Sequence, residues 1–274
     1  MSERIRIERD AGVARATIDS PPMNLLGGEL LGALIGLVDE LERDETTRVV
    51  VLRSADPDFF IAHGDVESIV SVPMDPVPEA TEPSFVHAVL ERLRRLPQVT
   101  IAEIAGYVRG GGSEVTLACD MRFAARGKAV FGQPEVALGI LPGAGGTARL
   151  TRLVGRARAA EIILGCDDFD ADEACRYGWI NRACPGRARP RRSSRTPDRE
   201  LPAEALRTAK ATIHAISDAT VEADLLREQR AFDHLMTDPR AERIPRMRRF
   251  LDRGVQTRQG ERTLAEACTE LGTD

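Results

Sequence analysis

What most constrains this chain is the way short apolar runs alternate with amphipathic stretches over its first 185 residues. Residues 4–9 (RIRIER) and 13–18 (VARATI) have the character of strands, joined at Asp10-Ala11-Gly12. Residues 28–43 then place Leu30, Leu31, Leu34, Leu37, Val38 and Leu41 at helical spacing, which predicts an amphipathic helix. Arg48–Leu52 reads as a buried strand, residues 85–96 as a helix ended by Pro97, and Val99–Ile104 as another strand. A glycine run follows, with a helix from 112 and a strand near 121–125. Helices are expected at 144–153, 156–164 and 171–177. Such alternation predicts an α/β layer fold.

Residues 186–201 break the pattern. They hold Arg187, Arg189, Arg191, Arg192, Arg195 and Arg199 with Pro190 and Pro197, and Leu201 is their only large apolar side chain. No amphipathic element can be written there, so the segment reads as an exposed linker. From Pro202 onward the pattern is helical, with expected helices at 202–216, 219–236, 240–253 and 259–271. The expected organisation is a body at 1–185, an irregular linker at 186–201 and a helical region at 202–274.

Composition narrows the function. Of 274 residues, 42% are hydrophobic, enough for a substantial core. The net charge of −5 argues against a general nucleic-acid binder. No apolar run approaches the ~18 residues of a membrane span, and the start MSERIRIERD has no apolar leader pattern. The five cysteines form no CxxC pair, and their odd number fits reduced thiols and a cytoplasmic location. Four scattered histidines without an HExxH pattern give no support for a metal site.

Two segments carry candidate chemistry. In Gly110-Gly111-Gly112-Ser113-Glu114 three glycines precede an expected helix, whose first N–H groups are free to face a ligand. Such donors stabilise an oxyanion, and Glu114 sits in the first turn beside them. Phe131-Gly132-Gln133-Pro134-Glu135 puts a second carboxylate before the glycine-rich entry Gly143-Ala144-Gly145-Gly146. Two carboxylates near an oxyanion site suit proton transfer next to a carbonyl. On spacing alone the signal is weak, because a glutamate in a first helical turn is usually a dipole-favoured residue. Gly143–Ala148 also has the loose GxGxxA form of a dinucleotide motif, but Pro142 stands where a strand should lead in.

Taken together, the stretch IAEIAGYVRGGGSEVTLACDMRFAARGKAVFGQPEVALGILPGAGGTARLTRLVG resembles the core of the enoyl-CoA hydratase/isomerase (crotonase) family. FFIAHGDVESI resembles that family's oxyanion-hole loop, and ADEACRYGWINRACP its following helix and strand. The similarity covers about 5–185 and resumes over about 202–270. It implies a spiral of strand-strand-helix units with a helical C-terminal domain. It implies that Glu114 is the base on water and that Glu135 exchanges a proton with the α-carbon. Gly64 and Gly111 would form the oxyanion hole, Gly143 would position the water, and Ile61, Ala62 and Asp65 would lie on the CoA-contacting loop. It further implies an acyl-CoA thioester substrate, no separate cofactor, and homotrimers or hexamers. Hydration is the first expectation. Isomerisation, thioester hydrolysis, decarboxylation or a non-catalytic acyl-CoA-binding role are the alternatives.

The sequence departs from the resemblance in two places. His63 stands where glycine is common, and is expected to be a bystander in a loop acting through its backbone. Similarity is lost and regained abruptly around 186–201, as paired frameshifts would produce, the alternative being a genuine loop that docks phosphates. Arg92, Arg94 and Arg95 are expected on a solvated helix face. Tyr177 and Trp179 are expected in packing, and Cys119 in the core.

Overall fold

The computed structural model describes residues 4–185, 202–217 and 220–271. The linker segment 186–201, with both explanations for its composition, lies outside the described residues. The chain opens with an antiparallel hairpin, β1 (Ile5–Asp10) and β2 (Val13–Ile18), then α1 (Gly28–Glu42). Next come β3 (Val49–Ser54), β4 (Phe59–Ile61), α2 (Val66–Val70) and α3 (Phe85–Arg95). They are followed by β5 (Val99–Ile104), β6 (Tyr107–Arg109) and α4 (Gly111–Leu117), then β7 (Met121–Arg126) and β8 (Val130–Gly132). α5 (Gly146–Val154), α6 (Arg156–Gly165), β9 (Phe169–Asp170), α7 (Ala171–Tyr177) and β10 (Arg182–Pro185) complete the body.

From β3 to β8, successive strands go alternately to two sheets. A six-stranded sheet has the order β1-β2-β3-β5-β7-β10, and a four-stranded sheet the order β4-β6-β8-β9. From β3 onward each turn of the chain adds one strand to each sheet, and the steps β3-β5-β7 and β4-β6-β8 are parallel. The result is a spiral of strand-strand-helix units. Leu30, Leu34, Leu37 and Leu41 of α1 are buried with Ala14, Ala16, Ile18, Val50 and Leu52 of the larger sheet. At roughly 1.5–3 kcal/mol for each fully buried large aliphatic side chain, this stripe is what holds α1 in place. Trp179 is fully buried against Phe131 and Phe169, as expected of a packing residue.

The C-terminal region is helical: α8 (Ala203–Ser217), α9 (Val221–Thr237), α10 (Arg243–Asp252) and α11 (Leu264–Glu270). It does not build a separate core. Met236, Met247, Phe250, Leu264 and Leu271 share one apolar cluster with Val66, Leu138 and Ile140 of the body. On α8, Lys210 donates to the Gln98 carbonyl at 2.8 Å and pairs with Asp120, which also meets His214. Among the described residues no helix is long and apolar enough to cross a membrane.

Candidate active site

The parallel strands β4, β6 and β8 end side by side, so the segments leaving them converge. The segment after β4 carries His63 and Gly64, the segment after β6 becomes α4, and the segment after β8 carries Gln133 and Glu135. Close approach is obligatory: a Cβ on Gly112 would sit 2.1 Å from the Ile61 carbonyl oxygen. Beyond β4 the chain makes an isolated parallel bridge with Leu26, through Leu26 N–H to the His63 carbonyl (2.9 Å) and Asp65 N–H to the Leu26 carbonyl (3.2 Å). Backbone groups of successive strand residues point opposite ways, so the Gly64 N–H faces away from this bridge. It lies beside the start of α4, where a Cβ on Gly111 would be 3.4 Å from the Gly64 nitrogen. Two backbone donors thus sit side by side, because the first N–H groups of a helix have no intrahelical acceptor.

Glu114 is 3% exposed, and its Oε1 accepts from the N–H groups of Ala144 (2.7 Å) and Gly146 (2.8 Å). Gly146 must be glycine, since a Cβ there would lie 2.7 Å from that same oxygen. Glu135 is 7% exposed and stands in a short 3-10 turn, Glu135–Leu138, with Oε1 against Gly110 and no hydrogen-bond partner for Oε2 among the described residues. Their ionisation differs with their surroundings. Burial raises Glu114 to about 7, and the nearby Glu228 charge adds to this, while the two N–H donors and Arg149 oppose it. Burial, and next the Glu114 charge, push Glu135 well above the ordinary carboxylate range. Burial thus favours the protonated form of Glu135, and Glu114 is poised to lose its proton near neutral pH.

Both carboxylates open into a cavity of about 320 Å³, together with Gly64, Gly111 and Gly143. Its apolar wall includes Leu26, Val66, Leu138, Leu141, Phe232 and Phe250, so the C-terminal helices close it. The Phe232 ring lies directly on Gly143, where a Cβ would meet it at 2.3 Å. Along the turn at 143–146, Ala144 and Gly146 donate to Glu114 and Gly145 to Glu228, while the Gly143 N–H has no partner among the described residues. A larger hollow of about 810 Å³ beside α8 is lined by Arg95, Arg207, Lys210 and His214. Several of its basic groups are already matched, Arg95 by Glu222 and Lys210 and His214 by Asp120. Arg92 and Arg94 of the nearby helix are ion-paired in the same way, with Asp39 and Glu42 and with Glu91.

The remaining expected site residues occupy the end of β4 and the loop after it, so Ile61 lies in a strand and not in the loop where it was expected. Ile61 is a strand residue paired with Val108, and Ala62 uses its N–H on the Met23 carbonyl and its carbonyl on the Arg109 N–H. The Asp65 carboxylate caps α2, accepting from the Glu67 N–H and the Ser68 hydroxyl, and also accepts from Gln256. His63 is more than a bystander to this geometry. Its Nδ1 donates to the Gly64 carbonyl (2.7 Å), and its Nε2 faces the fully buried Glu261 at 3.0 Å. Glu261 is also held by Arg109, which pairs with Asp168.

Some residues at the site had not been singled out from sequence. Glu228 on α9 accepts from Gly145, Ala148 and His87, and Gln133 places its fully buried amide against Gly146. A signal for Glu228 does exist. Val221, Leu225, Glu228, Gln229 and Met236 form the buried stripe of α9, so Glu228 is a charge at a core position of an amphipathic helix.

A two-sheet spiral whose helical C-terminal region closes over a pair of buried carboxylates is the crotonase architecture. The chain belongs to the enoyl-CoA hydratase/isomerase family, whose profile matches residues 8–254. It is 33% identical over 233 residues to the probable enoyl-CoA hydratase echA8 of Mycobacterium bovis, covering 84% of this chain and 88% of that protein. It is 36% identical over 177 residues to the short-chain-enoyl-CoA hydratase of Clostridium acetobutylicum, covering 64% and 67%. The crystal structure of a Streptomyces avermitilis protein, named as a candidate enoyl-CoA hydratase, superposes with a TM-score of 0.84. That protein is 35% identical, and the match covers 100% of both chains.

Proposed function

We propose that the protein adds water across the double bond of 2-trans-enoyl-CoA thioesters. The observation that carries this reading is a division of labour between two buried carboxylates on one cavity. Glu114 is oriented by two N–H groups and titrates near neutrality, whereas burial pushes Glu135 toward its protonated form and leaves one of its oxygens free of protein partners among the described residues. Hydration needs both a base for water and an acid for carbon. Isomerisation needs one group to shuttle a proton, and would leave the clamped Glu114 without a task.

In this reading the thioester oxygen accepts hydrogen bonds from the Gly64 and Gly111 N–H groups, a pair of donors worth most as the oxygen gains charge. The Gly143 N–H and Glu114 hold the water. Glu114 takes its proton as the water oxygen bonds to the β-carbon, and the alkene electron pair moves onto the thioester oxygen as an enolate. The enolate collapses as Glu135 gives its proton to the α-carbon, leaving a 3-hydroxyacyl thioester. A proton passing from Glu114 to Glu135 restores the starting state. Water is the only reactant besides the thioester, so the step calls for no cofactor beyond the CoA carried by the substrate. Ile61, Ala62 and Asp65 shape the loop along which that CoA would run.

Trimers or hexamers are the assembly that goes with this reading, and the exposed Ile213 and Ile216 of α8 offer apolar side chains to a subunit contact. The test of function is the loss of enoyl absorbance on mixing the protein with crotonyl-CoA and longer 2-enoyl-CoAs. Turnover that collapses in both Glu114→Gln and Glu135→Gln, with CoA binding kept, is the expected result. No turnover by a folded, CoA-binding wild type overturns the proposal.

A further inference from the structure

The turn that orients Glu114 is gripped by two carboxylates at once. Its N–H groups alternate between them. Ala144 and Gly146 donate to Glu114, at 2.7 and 2.8 Å, and Gly145 and Ala148 donate to Glu228, at 2.5 and 2.7 Å. Glu228 comes from α9, so the C-terminal region supplies half of the clamp. The turn cannot cap itself. Gly145, the residue before α5, has no side chain and a φ of 100°.

Glu228 is buried, with its side chain 1% exposed. Its third donor is His87, whose Nε2 lies 2.9 Å from Oε1. The tautomer of His87 follows from its neighbours. Nδ1 receives the Ser84 N–H at 3.3 Å, so Nδ1 is an acceptor and Nε2 carries the proton given to Glu228. The carboxylate is therefore fully supplied with donors, which is what permits a charge to remain buried. The titratable and charged groups around it are Glu114 of α4, His87 and Glu91 of α3, Arg149 of α5 and Glu135. Arg149 lies on the far side of the turn, donating to the Ala144 carbonyl and pairing with Glu91. Asp224 and Arg227, on α9 itself, pair with each other and Arg152 away from this cluster.

We propose that Glu228 is a positioning residue for Glu114. It holds the 144–148 turn so that two N–H groups meet the Glu114 carboxylate, and it places a second carboxylate on that same turn, where its negative charge acts on Glu114. The proposal rests on the hydratase reading for its kinetic consequence, but not for its effect on Glu114. A buried cap with only a structural role would account for the hydrogen bonds. It would leave the ionisation of Glu114 where it is. The two roles therefore separate by measurement. Because both carboxylates grip one turn, the Glu228 charge lies close enough to raise Glu114 alongside its burial.

The experiment compares wild type with Glu228→Gln, which keeps shape and removes charge. The Glu114 carboxyl band is followed by difference infrared spectroscopy against pH, identified by its loss in Glu114→Gln. The midpoint should fall by about one pH unit in Glu228→Gln, as expected for removing a nearby like charge. With crotonyl-CoA, kcat should fall while KM holds, and the acid limb of the kcat profile should move down with the midpoint. A folded Glu228→Gln whose Glu114 midpoint and acid limb do not move overturns the proposal. A midpoint that moves, in a protein whose wild type hydrates no enoyl-CoA, upholds it and sinks only the hydratase reading. Should Glu228→Gln not fold, Glu228→Asp keeps the charge but shortens the clamp. A lower kcat with an unmoved acid limb is then expected, and an undiminished kcat overturns the proposal.

Discussion

His63 Nε2 and Glu261 Oε2 lie 3.0 Å apart with almost no solvent contact, joining the loop after β4 to the C-terminal region. Burial by itself would lower the His63 pKa, but the Glu261 charge and the Gly64 carbonyl overcome it and raise it above 6.5. A raised histidine binds its proton more tightly in the folded protein. The stability it contributes is complete below pH 6.5 and is lost as pH rises through the higher folded value. The stability gap between wild type and His63→Gln should therefore be widest at about pH 5.5–6 and close on the alkaline side, read by thermal melts across pH. A gap that widens with rising pH would contradict the ion pair.

Glu261→Gln should cost more, because Arg109 Nη1 also binds this carboxylate at 2.5 Å inside the core. Removing one partner of a buried ion pair typically costs about 3–5 kcal/mol. Urea titration should show a loss of that order near pH 6. A loss below ~1 kcal/mol would mean that the network relaxes to water, as exposed pairs do.

The two catalytic candidates should trade stability for chemistry. Glu114 titrates at about 7 in the fold against 4.5 in an ordinary environment. Between those values the folded state holds a proton that the unfolded chain has lost, so stability falls as pH rises, by roughly 3 kcal/mol at most. A glutamine side chain at this position would keep an acceptor oxygen for the Ala144 and Gly146 N–H groups without the charge. Glu114→Gln should therefore melt higher than wild type at pH 8 and equal to it at pH 4. Its kcat should fall ~10²–10⁴-fold, the range of general acid–base catalysis.

How far this site could be read from sequence depends on the length of its parts. The stripe Leu30, Leu34, Leu37 and Leu41 is long enough to announce α1, and the helices at 85–95, 146–154 and 171–177 fall within two or three residues of expectation. The strands that deliver the site are only three residues each, Phe59–Ile61, Tyr107–Arg109 and Val130–Gly132, too short to show alternation. The glycine run and the GQPE segment were legible because glycine and acid stand close in sequence. Glu261 was not, because its partner His63 is distant in sequence and it reads locally as a surface charge, and Glu228 shows only as a charge on the buried stripe of α9, with nothing local to name its partner Gly145.

The pH dependence of turnover follows from the opposed carboxylates. Glu114 must be ionised to accept a proton, so kcat should rise with pH through about 7. Glu135 must be protonated to give one, so kcat should fall again as Glu135 ionises, giving a bell whose alkaline limb is set by the raised Glu135. A profile flat from about pH 5.5 to 9 would remove at least one of them from the rate-determining step.

Two neighbouring glycines should fail in different ways. A Cβ on Gly112 would stand 2.1 Å from the Ile61 carbonyl oxygen, a rigid backbone atom, so Gly112→Ala has to push β4 and α4 apart. It should lower the melting temperature or abolish soluble folding. A Cβ on Gly111 would stand 2.9 Å from Leu26 Cδ2, the flexible end of a side chain, and 3.4 Å from the Gly64 nitrogen. Gly111→Ala can therefore fold by moving Leu26, but its methyl group fills the space between the two N–H donors. Losing one oxyanion donor costs ~10²–10³-fold in kcat, and blocking the approach to both should cost at least that. Gly111→Ala should keep a melting temperature close to wild type and lose turnover, while Gly112→Ala loses the fold. If a folded Gly111→Ala hydrates crotonyl-CoA at the wild-type rate, the thioester oxygen binds elsewhere, and the Gly64–Gly111 pair is only a close contact between the loop after β4 and α4.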